Sequence, residues 1–407
     1  GLEYYYTAPY IGNSDTLTVQ YIDSGNVIKM TNYNVVLKNK VTFMLYISGE
    51  NNLGVDNSGF SYALEDLKEI EKVSLKNNYM NVNTVIYIDV PDKIGGNGCY
   101  IYTGNAEDTL TINNYVLKGF KNTGYYGNGN TGSVVELTNF INYTKENIQS
   151  EKYILDLWSH GDGWRDDTYY RQICYDDGES DSLNMTELEN AILNSKIPKI
   201  DIIYTDACFM GGIEVAYQLR NVSDYLVFSP ELTPGFGGDY TNIIKGINES
   251  DFSSKTISEK IVAANGNYYK NFWNIEYSYP YVFSAVEQSK LSELVNALKS
   301  VSEEIIKTEN SDVIAKIKEF KNNKNVLCYD NYYRNVNSKY VDIGNLFLNI
   351  QKTLPTTAHT TALEEEIKIL LTAINSYVIY KEYGDGKESI NGNLIIYRYE
   401  EGTSGLS

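Results

Sequence analysis

Two segments decide the fold of this chain: Tyr153-Ile-Leu-Asp-Leu-Trp-Ser-His-Gly-Asp-Gly-Trp164 and Ile202-Ile-Tyr-Thr-Asp-Ala-Cys-Phe-Met-Gly-Gly212. Each is an apolar run of strand length that ends at a polar, reactive residue, His160 in the first and Cys208 in the second. Open parallel sheets place their active sites at the carboxyl ends of strands, so neighbouring strands of this kind would bring an imidazole and a thiol to one edge. The pattern is typical of a thiol nucleophile paired with a histidine, and it favours a cysteine peptidase.

Apolar runs and helical patterns alternate on both sides of these two segments. Further buried strands are predicted at 41–47, 83–89, 99–102 and 225–228. Helices are predicted at 64–73, 134–141, 186–193 and 211–220. Alternation of this kind implies right-handed crossovers, and therefore an α/β fold with a mostly parallel sheet and helices on both faces.

The two ends of the chain have different patterns. Residues 1–40 alternate Tyr, Val, Ile and Thr with turn residues, which predicts a short N-terminal β extension built as a hairpin. Residues 41–255 carry the alternating pattern and form the predicted main domain. Residues 256–407 are mainly helical by pattern, with terminal strands expected at 377–380 and 394–399.

The composition excludes several classes of protein. The chain of 407 residues has 34 Lys and Arg against 53 Asp and Glu, a formal net charge of −19. Such a surface repels phosphate backbones, so no nucleic-acid partner is expected, whereas basic peptides are attracted; solubility is the simpler meaning of the same charge. No apolar stretch approaches the length of about 18 residues that a membrane-spanning helix needs, so no transmembrane segment is expected.

Cysteines and histidines are few. The four cysteines show no Cys-x-x-Cys spacing and are too sparse for a disulfide scaffold. The two histidines, His160 and His359, do not form a His-Glu-x-x-His motif, which argues against a zinc site built on histidines. We expect no metal ligand set and place His359 at the surface.

The residues around His160 and Cys208 supply what a catalytic cysteine needs. Cys208 precedes a predicted helix from Gly211, whose N-terminal partial positive charge would favour the thiolate. The backbone amides of Gly161 and Cys208 are candidate donors to a developing oxyanion. A buried cysteine at a strand end is more often inert, and a single histidine is more often structural. Their joint placement favours the catalytic interpretation.

These residues also resemble a known family, the clostripain-type cysteine peptidases of the caspase-like clan. The resemblance is carried by Trp158-Ser-His-Gly-Asp-Gly-Trp164, by Asp206-Ala-Cys-Phe-Met210 and by Glu214-Val-Ala-Tyr217, with support from Asn51-Asn-Leu53. It implies a caspase-like catalytic domain over residues 41–255 and a His160/Cys208 dyad that needs no third member. It also implies cleavage of peptide bonds after Arg or Lys.

In that family the acid two residues before the nucleophile lines the primary specificity pocket, and here that position is Asp206. A carboxylate facing a narrow pocket pairs with guanidinium or ammonium groups and rejects neutral side chains. The alternative is that Asp206 caps the next helix. Some relatives place a second acid in the following Pro-Gly-x-Gly loop, where this chain has Phe236. Phe236 would either narrow the pocket or leave basic selectivity to Asp206 alone, and Glu231 or Asp239 are candidates to replace the missing acid.

The resemblance implies synthesis as a zymogen that cuts itself between the two catalytic segments. Arg165 and Arg171 lie in that polar stretch and are the candidate self-cleavage sites. Residues 176–181 carry four acidic side chains, and some relatives require calcium, but the spacing is not that of an EF-hand. A solvated acidic loop is the favoured interpretation, and no cofactor is expected to be required.

The resulting hypothesis is a monomeric endopeptidase, secreted or attached to the cell envelope, that acts on proteins or peptides with basic residues. No signal peptide is visible in the sequence, and we expect that one has been removed. Two alternatives stay open at this point. One is a non-catalytic surface binding protein that uses its many tyrosines, and the other is an amidase with the same dyad.

Overall fold

The structure is a computed structural model, which describes residues 14–23, 26–36, 39–73, 81–164, 173–272, 280–307, 314–315, 327–329, 340–354, 358–390, 393–397 and 403–407. The strands are β1 Ser14–Asp23, β2 Asn26–Val36, β3 Asn39–Ser48, β4 Val82–Asp89, β5 Gly98–Tyr102, β6 Thr109–Ile112, β7 Tyr115–Lys118, β8 Phe120–Asn122, β9 Ser150–Trp158, β10 Ile173–Asp176, β11 Asp181–Leu183, β12 Ile200–Asp206, β13 Ser223–Phe228, β14 Tyr281–Glu287, β15 Cys328–Tyr329, β16 Tyr340–Val341, β17 Val378–Gly384, β18 Gly386–Ile390 and β19 Asn393–Tyr397. The helices are α1 Tyr62–Glu71, α2 Val134–Asn147, α3 Met185–Leu193, α4 Ile213–Gln218, α5 Tyr240–Asn248, α6 Ser254–Phe272, α7 Leu291–Lys307, α8 Ile343–Thr353 and α9 Ala358–Tyr377.

A nine-stranded sheet forms the centre of the molecule, in the order β17-β14-β13-β12-β9-β3-β4-β5-β8. Its five middle strands, from β13 to β4, run parallel to one another. The outer strands are added antiparallel, β14 and β17 at one edge and β5 and β8 at the other. The prediction of a mostly parallel sheet is confirmed.

The middle strands are buried on both faces, as the continuous apolar runs predict. In β3, Phe43 and Leu45 belong to one hydrophobic core, whereas Met44 and Tyr46 belong to the other. Helices α1, α5 and α6 cover the first core, and α2, α3, α4, α7, α8 and α9 cover the second. Helices therefore lie on both faces of the sheet, as expected for the α/β fold.

The part of the chain after residue 255 is less purely helical than its pattern predicts. Strand β14 pairs antiparallel with β13, and β17 pairs with β14, so both extend the central sheet. Helices α7 and α9 pack on the core that the middle strands share. The expected hairpin in the N-terminal extension is confirmed by the β1–β2 pairing. The division of the chain at residues 40 and 255 stays a prediction.

Asp342, at the N-cap of α8, organises a buried hydrogen-bond network. Its carboxylate accepts hydrogen bonds from the amides of Asn345 (2.8 Å), Ser404 (2.8 Å) and Gly405 (3.0 Å). The hydroxyls of Ser404 and Tyr329 donate to it as well. Because Asp342 is fully buried, these five donors are what offset the cost of removing its charge from water.

Asp342 thereby fixes residues 403–407, called the strap below, against the loop that follows Cys208. The amide of Ser407 donates to the carbonyl of Gly211 (3.0 Å), and the amide of Ile213 donates back to the carbonyl of Ser407 (2.8 Å). Leu406 is fully buried in the core beside α4. A segment distant in sequence therefore supports the backbone next to the candidate nucleophile.

Replacing Asp342 by Ala should lower the free energy of unfolding by about 3 kcal/mol, because the amides of Ser404 and Gly405 lose a charged acceptor while staying buried. Urea denaturation followed by circular dichroism measures this loss. The matched control is Asp224→Ala, since Asp224 forms an exposed ion pair with Lys199. That variant should change stability by less than about 1 kcal/mol. An Asp342→Ala protein with the same urea midpoint would contradict the role given to the network.

Candidate active site

The candidate catalytic residues follow the ends of two adjacent strands. β9 and β12 are parallel, and their last register pair joins Trp158 to Asp206. The amide of Ser159 extends the ladder by donating to the carbonyl of Asp206 at 3.3 Å. His160 and Cys208 each lie two residues beyond that last pair. The sheet register itself therefore brings the two residues to one edge, as the sequence predicts.

Gly161 sets how closely the two loops approach. A Cβ atom added at Gly161 would lie 2.6 Å from the carbonyl oxygen and 3.1 Å from the amide nitrogen of Cys208. It would also lie 2.9 Å from the Cβ of Ala207. No side chain fits at this position without displacing backbone. The loop after His160 and the loop of Cys208 are thus in direct backbone contact.

Cys208 is presented on a tight turn. Phe209 has a left-handed backbone (φ 58°), and its amide is fixed to the carbonyl of Glu231 at 3.1 Å. The sulfur of Cys208 accepts a hydrogen bond from the amide of Thr233 (3.3 Å) and donates to the carbonyl of Thr233 (3.6 Å). The thiol therefore contacts the backbone of the segment after β13.

The thiol of Cys208 is not activated as the sequence predicts. Burial raises its pKa to about 12, and the carboxylates of Glu231, Asp206 and Asp162 act in the same direction, against the Thr233 amide, which lowers it. The thiol is therefore protonated at neutral pH.

The expected helix at Gly211 begins only at Ile213, because Gly211 is held between two other segments. Its amide donates to Ser229 and its carbonyl accepts from Ser407 in the strap. The amide of Ile213, at the start of the helix, donates to the Ser407 carbonyl and not towards Cys208. The dipole argument for a thiolate at Cys208 consequently fails.

His160 has a polar partner that sequence reasoning missed. Its Nε2 lies 2.6 Å from Oδ1 of Asn52, in the loop after β3. An amide oxygen can only accept, so Nε2 carries a proton and Nδ1 of the neutral ring carries the lone pair. Burial lowers the pKa of His160, and Asp177 opposes this shift. The Asn51-Asn-Leu53 sequence was a signal only of family resemblance, because nothing local indicates that Asn52 reaches His160.

Asn51 holds the loop that presents Asn52. Its side-chain amide donates to the carbonyls of Ser48 (2.9 Å) and Tyr175 (2.8 Å), and its oxygen accepts from the amide of Leu53 (2.9 Å). Asn51 is buried, whereas Asn52 is exposed. Asn51 therefore fixes the loop, and Asn52 contacts His160.

Tyr340, in β16, connects the loop after His160 to the loop of Cys208. Its hydroxyl donates to the carbonyl of Asp162 at 2.6 Å, two residues after His160. Its ring stacks on Phe209 with centroids 5.1 Å apart and an interplanar angle of 14°. The left-handed Gly163 leaves room for that hydroxyl, which would lie 2.7 Å from an added Cβ.

Asp206 points into the protein. Its Oδ2 accepts hydrogen bonds from the amide of Gly238 (2.7 Å) and the hydroxyl of Tyr240 (2.9 Å). Asp206 is 4% exposed, and burial raises the pKa of its carboxyl. The next helix, α4, is capped by Gly212, so the alternative role of Asp206 as a helix cap is wrong.

The other three candidate pocket residues lie around the same loop. Glu231 is buried, and its carboxylate accepts from the amide of Leu232 at 2.9 Å. Asp239 is the N-cap of α5 and accepts from the amide of Asn242 at 3.0 Å. Phe236 packs edge-on against Phe60 and Tyr62, with ring centroids 5.9 and 5.4 Å away.

The remaining predicted features lie at the edges of the site. Arg165 and Arg171 fall outside the described residues. In the acidic stretch 176–181, Asp176 is buried and accepts from the amide of Thr131 at 2.9 Å. Across the part of the chain that the structure describes, no group of three or more His, Cys, Asp or Glu side chains is placed to hold a metal ion. None of the described helices is long and apolar enough to cross a membrane.

A parallel sheet with antiparallel edges, and a histidine and a cysteine at adjacent strand ends, define a cysteine peptidase of caspase-like fold. Comparison with known proteins gives the particular family. The profile of the clostripain family, Peptidase_C11, matches residues 45–402, and the chain belongs to this family. It is also similar to clostripain of Hathewaya histolytica, with 25% identity over 90% of this chain and 74% of the relative.

Solved structures show the same fold. A secreted C11 cysteine protease from Bacteroides thetaiotaomicron, bound to an irreversible peptide inhibitor, has a TM-score of 0.62 at 22% identity and covers 90% of this chain and 92% of that one. An inactive zymogen C11 protease from Parabacteroides distasonis has a TM-score of 0.60 at 20% identity, covering 91% and 92%.

Replacing Asn52 by Ala should lower kcat about 10-fold with little change in KM, because His160 loses the acceptor that fixes its tautomer. Asn52→Asp should instead raise the pKa of His160, since a neighbouring negative charge favours the imidazolium. The acidic limb of the kcat/KM profile should then move to higher pH, because His160 stays protonated, and unable to accept a proton, over a wider range. Measurement uses a fluorogenic peptide between pH 5 and 9.

The matched control for these variants is Asn57→Ala, an exposed asparagine in the same loop. It should retain both kcat and the pH profile of the wild type. A wild-type kcat in Asn52→Ala together with an unchanged acidic limb in Asn52→Asp would remove Asn52 from any role in positioning His160.

Proposed function

We propose that this clostripain-family peptidase is an endopeptidase that cuts after Arg or Lys, with Cys208 as nucleophile and His160 as acid and base. One observation carries the catalytic part of the proposal: the β9–β12 register sets both residues two positions beyond the Trp158–Asp206 pair. The backbone contact at Gly161 supports it, because it holds the two loops at a fixed separation.

In the proposed reaction, both catalytic groups begin neutral, since burial raises the pKa of Cys208 and lowers that of His160. The proton of the Cys208 thiol passes to Nδ1 of His160 as the sulfur attacks the carbonyl carbon after the basic residue. The amides of Cys208 and Gly161 donate to the oxyanion. His160 then protonates the leaving amine, which leaves a thioester on Cys208.

Water completes the cycle. His160, neutral again, accepts a proton from a water molecule as the water oxygen attacks the thioester. As the carbon–sulfur bond breaks, His160 returns that proton to the sulfur of Cys208, and the peptide leaves with a new carboxyl group. The hydrogen bond from Nε2 to Asn52 keeps the same ring nitrogen facing the reaction in both halves.

The basic specificity is supported by the environment of Asp206. Its Oδ1 is buried and has no hydrogen-bond partner among the described residues. A buried carboxylate oxygen without a partner is costly, and an arriving guanidinium or ammonium group would satisfy it. Phe236, with Phe60 and Tyr62, supplies aromatic surface beside the same loop for the aliphatic part of such a side chain. Glu231 is a further candidate because its charge acts on the Cys208 thiol.

We also propose that the protein is secreted, acts as a monomer and matures by cutting itself at Arg165 or Arg171. The relative from Bacteroides thetaiotaomicron is described as secreted, and the one from Parabacteroides distasonis was solved as an inactive zymogen. The protonated Cys208 thiol in contact with Thr233 fits a resting form that has to be activated.

Replacing Cys208 by Ala should reduce cleavage of a positional peptide library by about 10³-fold or more, because no other group supplies the nucleophile. In the wild type the cut bonds should follow Arg or Lys, with or without a chelator. Identification of the cut peptides by mass spectrometry tests both parts, and equal thermal stability of the two proteins is the control. A wild type that cuts nothing and is not labelled by a basic peptide with a thiol-reactive group would favour a non-catalytic binding protein.

Self-cleavage should produce a new internal N-terminus after Arg165 or Arg171 in the wild type, and none in Cys208→Ala. Intact-mass spectrometry of freshly purified protein measures this. The double variant Arg165→Gln/Arg171→Gln is the matched control, which should stay uncut at these positions while keeping Cys208. Identical intact masses for wild type and Cys208→Ala, apart from the substitution itself, would refute self-processing.

A further inference from the structure

Asp66, on the buried face of α1, forms a pair with Asp206 across Gly237. A Cβ atom added at Gly237 would lie 2.8 Å from Oδ2 of Asp206, 3.0 Å from Oδ2 of Asp66 and 3.3 Å from Nε1 of Trp158. Gly237 has a left-handed backbone, with φ +62°. Any side chain at this position would run into both carboxylates, so the two acids face the same small volume.

Both carboxylates are buried and incompletely satisfied. Asp66 is 1% exposed and Asp206 is 4% exposed. Oδ2 of Asp66 accepts from the indole of Trp158 at 2.6 Å, but Oδ1 of Asp66 and Oδ1 of Asp206 have no partner among the described residues. Over the same part of the chain, neither acid forms an ion pair with a Lys or Arg side chain. Two unpaired acids are held together at a cost that a structural role does not explain.

We propose that Asp66 is a second acid of the specificity pocket, and that Asp66 and Asp206 together bind the guanidinium or ammonium group of the residue preceding the cut bond. This inference rests on the proposed cleavage after Arg or Lys. It adds a residue from α1, far from both catalytic segments in sequence. Two carboxylates on different sides of a planar guanidinium satisfy more of its five donors than one carboxylate does.

The segment 233–238 connects the two acids to the candidate nucleophile. At one end the amide of Thr233 contacts the sulfur of Cys208, and at the other the amide of Gly238 contacts Asp206. A side chain that extends from the cut bond at Cys208 towards Asp206 follows this loop. Burial and the neighbouring Asp206 charge raise the pKa of Asp66 well above its usual range. An incoming cation would oppose this shift, because a neighbouring positive charge favours the ionised carboxylate.

Asp156 is a third buried acid in this region, but it occupies a different place. The hydroxyl of Tyr240 lies 3.0 Å from Oδ2 of Asp156 and 2.9 Å from Oδ2 of Asp206. A hydroxyl has one proton and can donate to only one of them, so the other contact needs a protonated carboxyl. Burial and the Asp206 charge raise the pKa of Asp156, whereas Asp206 also accepts from Gly238. Asp156 is therefore the protonated carboxyl group in contact with the Tyr240 hydroxyl.

Two further acids nearby accept hydrogen bonds from backbone amides of helix α5. Glu69 accepts from the amide of Tyr240 at 3.0 Å, and Asp239 caps α5 through Asn242. Of the acids around the loop, Asp66 and Asp206 are therefore the two whose Oδ2 atoms lie beside Gly237 and whose Oδ1 atoms have no partner among the described residues.

The test compares two peptides that differ only in the residue before the cut bond, Arg or its neutral isostere citrulline. In the wild type, kcat/KM should be much higher for Arg. Asp66→Asn should lower kcat/KM for Arg about 10- to 100-fold, mainly through KM, and leave citrulline cleavage nearly unchanged. Because both peptides are measured on the same protein, their ratio does not depend on the fraction that is folded. The carboxamide that Asp66→Asn introduces still offers an oxygen to the indole of Trp158.

The matched control is Asp156→Asn, a buried acid of the same cluster, which should keep the wild-type ratio because its amide can donate to Tyr240. Asp206→Asn, like Asp66→Asn, should lower the ratio of kcat/KM for the Arg peptide to kcat/KM for the citrulline peptide. A wild type without preference for Arg over citrulline would overturn the proposed specificity, and the role of Asp66 with it. A wild type that prefers Arg, with an Asp66→Asn variant that prefers it equally, would overturn the role of Asp66 alone. Should Asp66→Asn not fold, Asp66→Ser is measured with the same expectation and the same refuting outcome.

Discussion

The parallel pairing of β9 with β12 is the constraint on which the site depends. It fixes the strand ends in register, and the missing side chain of Gly161 lets the two following loops touch. The candidate catalytic groups are then placed by backbone, because His160, Cys208 and both candidate oxyanion amides lie within two residues of these contacts. A rigid frame of this kind positions catalytic groups more accurately than mobile loops do.

Burial affects both the Cys208/His160 pair and the acids near Gly237, in different ways. It keeps Cys208 and His160 neutral, so the resting enzyme holds a thiol and an imidazole and not an ion pair. It also keeps acids near Gly237 that have no cationic partner in the described chain. The segment after β13 touches both parts, at Thr233 and at Gly238. Under the proposed function, the same segment would therefore contact both the bound basic side chain and the Cys208 thiol.

The sequence was sufficient for features that depend on local pattern. The continuous apolar runs located the parallel strands, and the abrupt ends at His160 and Cys208 located the site. Prediction from sequence failed where contacts between residues distant in sequence determine the local structure. Strand β14 lies in a region of helical pattern and becomes a strand by pairing with β13. The helix after Cys208 starts late because Gly211 is bonded to Ser229 and the strap. Asn52 and Asp66 carry no local sign of their contacts with the site.

The contacts between the strap and the loop after Cys208 can form only after residues 403–407 have been synthesised. The Ser407 hydroxyl contacts the carbonyl of Gly211 across 196 residues of sequence. A chain emerging from the ribosome folds its N-terminal parts first, so His160 and Cys208 leave the ribosome long before the segment that braces Gly211. Contacts this distant in sequence form late in folding. A partly synthesised chain thus contains both His160 and Cys208 but lacks the contacts that hold Gly211 in place.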